Sequence, residues 1–198
     1  MCGIKGPDHT LRPVLPSTLI PLAVYFSPMS PRILIAYATK HETTREIADA
    51  IAETLKEQGI DAEARSVGTV DSVFGYDGVV IGSPIYMGKI LKEAKQFVAR
   101  FAGALQERPT AAFAVGMSCK DLTDENCRKV EKAMEPVTGP LQIRGEMGMF
   151  AGRMNPSFAP VIGLFMRYDE AKTEDARDWD AIRTWARELP GRLGIAAV

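Results

Sequence analysis

Cysteine is scarce in this 198-residue chain: Cys2, Cys119 and Cys127 are all there is. An odd number at irregular spacing cannot build a disulfide framework, and without a Cys-x-x-Cys pair there is no dithiol or zinc-knuckle signature. The pattern predicts a reducing, cytoplasmic setting. Histidine is scarcer still, with only His9 and His41, so neither a metal-ligand cluster nor a nucleophile–base pair can be assembled from the sequence. We therefore assign no metal and no catalytic side chain. A one-sided charge is lacking too: 24 basic residues face 25 acidic ones. That balance removes the usual electrostatic case for a nucleic-acid binder, which needs a basic face to release counterions. No uninterrupted apolar run reaches the roughly 18 residues of a membrane span. The phosphate-binding signatures Gly-x-x-x-x-Gly-Lys and Gly-x-Gly-x-x-Gly are both absent, which argues against nucleoside triphosphates and dinucleotides.

What the sequence does hold divides at about residue 30. Residues 1–30 carry Pro7, Pro13, Pro16, Pro21 and Pro28, a density that blocks helices and sheet ladders alike. The apolar stretch from Leu15 to Phe26 is interrupted by two of these prolines, and no small-x-small cleavage site follows, so a signal peptide fits poorly. We read 1–30 as a disordered extension or a mis-called start, with Met29 the alternative initiator. Residues 31–198 form the predicted folded domain.

From Arg32 the pattern alternates. Short apolar runs at Arg32–Tyr37, Gly78–Gly82 and Thr110–Gly116 read as strands buried on both faces. Ile60–Val67 reads as a more exposed strand, and Leu141–Phe150 as a fifth. Between them, Ile47, Ile51 and Leu55 mark one helix, opened by a capping box at Thr43-x-x-Glu46 and closed by Gly59. Ile90, Leu91, Ala94, Phe97, Val98 and Phe101 mark a second helix, Asp124–Met134 a third, and Asp175–Leu189 a last one with Trp179, Ile182 and Trp185 inward. If Asp71–Tyr76 supplies a short crossover helix, the alternation is regular. The fold class is then α/β: a five-stranded doubly wound parallel sheet of order 2-1-3-4-5 with helices on both faces.

In such a sheet, ligands bind beyond the carboxyl ends of the strands where the strand order reverses. Three loops converge there. The first, Thr39-Lys40-His41-Glu42-Thr43-Thr44, offers three hydroxyls at a helix N-terminus, a place suited to a phosphate monoester. A cap alone needs one hydroxyl. The second loop, Ser83-Pro84-Ile85-Tyr86-Met87-Gly88, brings an aromatic ring and close-approach backbone to a flat heterocycle. The third runs through Met117, Ser118 and Cys119; a cysteine there is more often a small buried hydrophobe than a redox group.

These residues carry a resemblance. Ile33 to Ala48, with Thr39-x-x-x-x-Thr44-Arg45-Glu46-Ile47-Ala48, resembles the phosphate-loop region of the flavodoxins, and Val80 to Lys89 resembles their flavin-ring loop. Within that family the chain is most similar to the branch containing menaquinone-dependent protoporphyrinogen IX dehydrogenase; Asp178-Trp179-Asp180 stands where that branch opens its last helix. The likeness runs from about Arg32 to Leu193. It implies FMN as cofactor, with Thr39, Thr43 and Thr44 donating to phosphate and Lys40 and His41 giving backbone or edge contacts. It also implies oxidoreductase chemistry: oxidation of a protoporphyrinogen-like tetrapyrrole with a quinone acceptor in haem biosynthesis, or non-catalytic electron transfer. One departure stands out. Where flavodoxins have Thr-Gly-Asn-Thr, this chain has His41-Glu42-Thr43-Thr44, so Glu42 must accept strain if that backbone turns to positive φ, and its carboxylate must point away from a phosphate. Glu42 is also the reason a flavin-free module stays among the readings.

Ser157 to Met166 is almost wholly apolar and lies between Arg153 and Arg167. Ten residues cannot cross a bilayer but can rest on its surface or wall a substrate site, and the two guanidinium groups suit carboxylates or lipid phosphates. Packing into the core or a dimer interface is the competing role.

Overall fold

The run Ile33-Leu34-Ile35-Ala36-Tyr37 has no polar residue to place in water, and the chain buries it centrally as strand β1 (Arg32–Tyr37). In the computed structural model, residues 30–143, 147–153 and 175–195 are described. Five strands lie side by side: β1, β2 (Asp61–Ser66), β3 (Gly78–Tyr86), β5 (Thr110–Val115) and β6 (Gly148–Phe150). All pair in parallel, in the order β2-β1-β3-β5-β6. A two-residue strand, β4 (Lys89–Ile90), pairs antiparallel with the end of β3. Leaving that stub aside, the spatial order is the expected 2-1-3-4-5.

Alternation along the strands sorts the core into two layers. Leu34, Ala36, Val79, Ile81, Ala112 and Ala114 face α2 (Lys92–Gln106) and α3 (Asp124–Thr138). Ile33, Ile35, Val80, Phe113, Val115 and Phe150 face the other way, against α1 (Thr43–Glu57) and α4 (Trp179–Leu193). Both faces of the sheet are thus covered, as parallel sheets require.

Several boundaries differ from expectation. Asp71–Tyr76 forms no crossover helix. A 3-10 turn at Val67–Thr69 precedes it, Gly75 turns at φ 82°, and the carbonyls of Val70 and Val73 accept from Arg100 and Arg108 at 3.4 and 3.2 Å. Arginine side chains thus satisfy backbone oxygens that a helix would have used. Of the strand expected over Leu141–Phe150, the described residues form Gly148–Phe150, while its start is a turn, with Gln142 at φ 49° and the Ile143 amide donating to Thr138 at 3.1 Å; residues 144–146 lie outside the described residues. The last helix starts at Trp179, not Asp175. Asp178 caps it, its Oδ1 accepting the Asp180 and Ala181 amides at 3.1 and 2.9 Å, while Asp175 and Arg177 are engaged elsewhere. Residues 1–29, the apolar run 157–166 and Arg167 also lie outside the described residues.

The expected Ser83–Lys89 loop is a tight hairpin. Ile85 pairs with Ile90 and Tyr86 with Lys89, and the two turn residues, Met87 and Gly88, have φ of 49° and 73°. Positive φ at both positions is the mirror-image turn that matches strand twist. Gly88 adopts it freely, and Met87 pays a steric cost.

Candidate functional site

The first loop leaves the end of β1 and is tied to β3 at once, the Ala38 amide donating to Gly82 at 2.9 Å. Glu42 then takes the left-handed conformation at φ 51°, ψ −29° and serves as N-cap of α1 without a capping side-chain bond. The strain foreseen at this position is therefore present. The expected capping box is not: Thr43 is already helical, its amide and hydroxyl both donate to the His41 carbonyl, the hydroxyl at 3.0 Å, and Glu46 points to other partners. Among the described residues, no acceptor meets the amides of Thr44 and Arg45. They lie in the first turn of a 15-residue helix, where unpaired N–H groups and the dipole favour an anion. Thr44 is 1% exposed. The Glu42 carboxylate is held by Arg45 at 2.8 Å, with both side chains about half exposed.

Relieving the backbone at Glu42 gives a direct prediction. Glu42→Gly is expected to raise stability by about 0.5–1 kcal/mol, since glycine occupies positive φ without a Cβ clash. Chemical denaturation measures it; a loss of stability would mean that the Arg45 pair outweighs the strain.

The hairpin and the third loop face this helix end. Ser83 is fully buried, its hydroxyl donating to the Pro84 carbonyl at 3.1 Å and accepting the Leu91 amide at 3.3 Å. It ties the hairpin to the start of α2 and has little left for a ligand. Pro84 is buried and Ile85 half-buried. The Tyr86 ring meets His41 edge-on, with centroids 6.3 Å apart, and the Lys40 ammonium lies 6.0 Å from its centre; burial raises the Tyr86 phenol above its ordinary pKa. The first loop and the hairpin therefore touch through Lys40, His41 and Tyr86. Thr39 is half-buried at the loop's base, and Met87 is fully exposed at the hairpin tip beside Gly88.

Residues Met117–Cys119 form a 3-10 turn. It is anchored on one side by the Gly116 amide donating to Phe150 at 3.0 Å. Gly116 also lets the Ile85 backbone pass closely, since a Cβ there would lie 3.4 Å from the Ile85 carbonyl. Met117 is half-buried and Ser118 exposed. Cys119 is 4% exposed, and burial pushes its thiol up to about 11, so it is a neutral core residue. A cleft of about 450 Å³ opens between hairpin, third loop and α3, bounded by Ile85, Gly88, Ser118, Lys129, Val130 and Lys132. A larger one, about 790 Å³, lies beside β6 against Leu122, Met149 and Trp185. It adjoins Met147, next to residues outside the described set, and is not where the strand order reverses. We place the site by the strand ends, not by cavity size.

A charged cluster beside α1 escaped the sequence analysis. Arg177 is buried, its side chain 5% exposed. Its Nε and Nη2 donate to the two carboxylate oxygens of Asp175 at 2.7 and 2.5 Å, its Nη1 donates to Glu46, and its guanidinium lies 4.5 Å from the Trp179 ring centre. The hydrogen bond from Arg177 holds the Asp175 carboxyl below the usual carboxylate range, and the same bond raises the Arg177 pKa. Arg153, singled out as a substrate contact, sits on the other oxygen of Glu46 at 3.4 Å and bridges Asp175 through the backbone. The available signal was Glu46 itself, within the Thr44-Arg45-Glu46-Ile47-Ala48 motif; nothing local marks Arg177 as its partner.

The comparisons with known proteins agree with this geometry. A family model described as flavodoxin domain matches residues 34–157. The chain is 26% identical over 170 residues to the protoporphyrinogen IX dehydrogenase [quinone] of Escherichia coli K12, covering 80% of this chain and 94% of that protein. Among solved structures it resembles oxidised flavodoxin 1 from Bacillus cereus, with a TM-score of 0.52, 16% identity, and coverage of 81% of this chain and 97% of the other. It also resembles the rubredoxin oxygen:oxidoreductase of Desulfovibrio gigas, with a TM-score of 0.51 and 17% identity over 83% of this chain. The chain spans only 38% of that longer protein.

Proposed function

This chain belongs to the flavodoxin domain family, and from that premise we propose that it is an FMN-dependent oxidoreductase that oxidises a protoporphyrinogen-like tetrapyrrole and passes the electrons to a quinone. The observation that carries the cofactor assignment is the first turn of α1. Its Thr44 and Arg45 amides are unspent among the described residues, Thr44 adds a buried hydroxyl, and the one carboxylate at the cap is held by Arg45. Those donors fit a phosphate monoester. Tyr86 and the hairpin backbone fit a flat ring. Thr43 has its hydroxyl committed to His41, which leaves Thr44 and the two amides as the phosphate's principal donors.

Bound FMN supplies hydride or single-electron transfer, and the protein's part is to bind, orient and shield it. The tetrapyrrole and quinone assignment rests on the likeness to the Escherichia coli dehydrogenase and on charge. A soluble shuttle gains encounter speed from a strongly one-signed surface, and 24 basic against 25 acidic residues give none. Among the described residues no helix is long and apolar enough to cross a membrane. The apolar run 157–166 is the proposed contact with a membrane surface or lipid-like acceptor, and a cytoplasmic place with peripheral contact is the matching location.

Two measurements test this. Anaerobic mixing with protoporphyrinogen and a quinone should give porphyrin fluorescence that grows with turnover; a flavin-loaded protein that is reduced chemically but never by protoporphyrinogen would return the chain to electron transfer alone. Thr44→Val should weaken FMN binding by about 1–2 kcal/mol, the usual effect of leaving a buried partner without its hydroxyl. Unchanged affinity by fluorescence titration would place the phosphate elsewhere.

A further inference from the structure

Glu46 lies one helical turn inside α1, close behind the amides assigned to phosphate. In an empty helix a first-turn carboxylate is favourable, because it answers the positive end of the dipole. Toward a phosphate dianion at the same helix end, that carboxylate is a like charge and repels it. The helix's own sequence does not cancel that charge, since Arg45 is taken by Glu42. Cancellation comes from two distant segments, as each oxygen of Glu46 receives its own guanidinium. Arg177, just before α4, donates to Oε2, and Arg153, just after β6, lies 3.4 Å from Oε1. Asp175 and the Trp179 ring hold the Arg177 fork in one orientation. The four side chains Glu46, Asp175, Arg153 and Arg177 sum to zero formal charge.

We propose that Arg177 and Arg153 are positioning residues for the cofactor: they neutralise Glu46 so that the N-terminus of α1 accepts a flavin phosphate. The proposal rests on the FMN reading above and goes beyond it by assigning a role to residues that need not touch the ligand. It separates the phosphate from the ring, because only the phosphate feels this charge.

The test compares FMN with riboflavin, which has the same ring and no phosphate, using the full chain stripped of flavin. Arg177→Gln should raise the FMN Kd about tenfold, the effect of one partly screened unit charge within a helical turn, and move the riboflavin Kd by less than about twofold. Glu46→Gln/Arg177→Gln removes both partners and should bring the FMN Kd back to within about threefold of wild type. Arg153→Gln, at a half-exposed position, should shift FMN alone in the same direction by about threefold, and it carries the test if Arg177→Gln fails to fold. Equal losses for FMN and riboflavin, no recovery in the double variant, or an unmoved FMN Kd in Arg153→Gln would overturn the proposal. A wild-type chain that binds riboflavin as tightly as FMN, or binds neither, would instead overturn the phosphate reading on which it rests.

Discussion

Phe113→Ala is expected to destabilise the protein by about 3–5 kcal/mol, the range for deleting a buried aromatic ring. Phe113 is fully buried in β5. Its ring lies 6.1 Å from that of Phe150 and 6.3 Å from that of Trp185, and Phe150 and Trp185 meet edge-on at 5.6 Å. The three rings join β5, β6 and α4, so the cavity left by alanine is walled by stiff side chains that collapse poorly. A loss of this size is a large fraction of the roughly 5–15 kcal/mol that holds a domain together. The midpoint of urea unfolding reports it directly. A loss below about 1.5 kcal/mol would mean that the rings repack, as tolerated core exchanges do. Because Phe150 also accepts the Gly116 amide, the variant should loosen the third loop as well.

Gly82→Ala is expected to cost about 2–3 kcal/mol through overpacking, although it adds only a methyl group. A Cβ at Gly82 would fall inside the Phe113 ring tip, and that ring is fixed by the aromatic neighbours just described. Gly82 is the last β3 residue paired with β1 and stands opposite Phe113 in β5, and its carbonyl holds the first loop through Ala38. A shift there therefore reaches both the ring-binding and the phosphate-binding segments. Gly82→Ala/Phe113→Leu should recover at least about 1 kcal/mol relative to the sum of the single variants, since contacting residues are not additive. Simple additivity would show that the strain goes into the backbone and not into the ring.

Much of the fold was legible because burial on both faces leaves a plain mark. Runs such as Ile33–Tyr37 and Gly78–Gly82 admit few polar residues, and the structure forms β1 with the expected bounds. The helices with clear apolar stripes were equally plain; α3 even runs past Pro136 to Thr138. The hairpin was not legible, because a Met-Gly turn carries none of the Asn-Gly chemistry that advertises positive φ at two successive positions. The Asp71–Tyr76 run is too short for its sequence to decide for or against a crossover helix, and the structure forms none, with Arg100 and Arg108 supplying backbone partners there from afar. In the site, Glu42 was legible as a conflict, and the structure resolves it with strain and an Arg45 pair. The structural part played by Ser83 was not legible: its hydroxyl closes the hairpin. Arg177 lies 131 residues from Glu46, and no local pattern could join them.

Flavin binding by the purified chain tests the central claim most directly. Titration of the flavin-free protein with FMN should quench flavin fluorescence to a single equivalent, yield a yellow protein after desalting, and require a higher concentration when riboflavin replaces FMN. A chain that stays colourless after reconstitution, with FMN fluorescence unquenched at every concentration, would contradict the account.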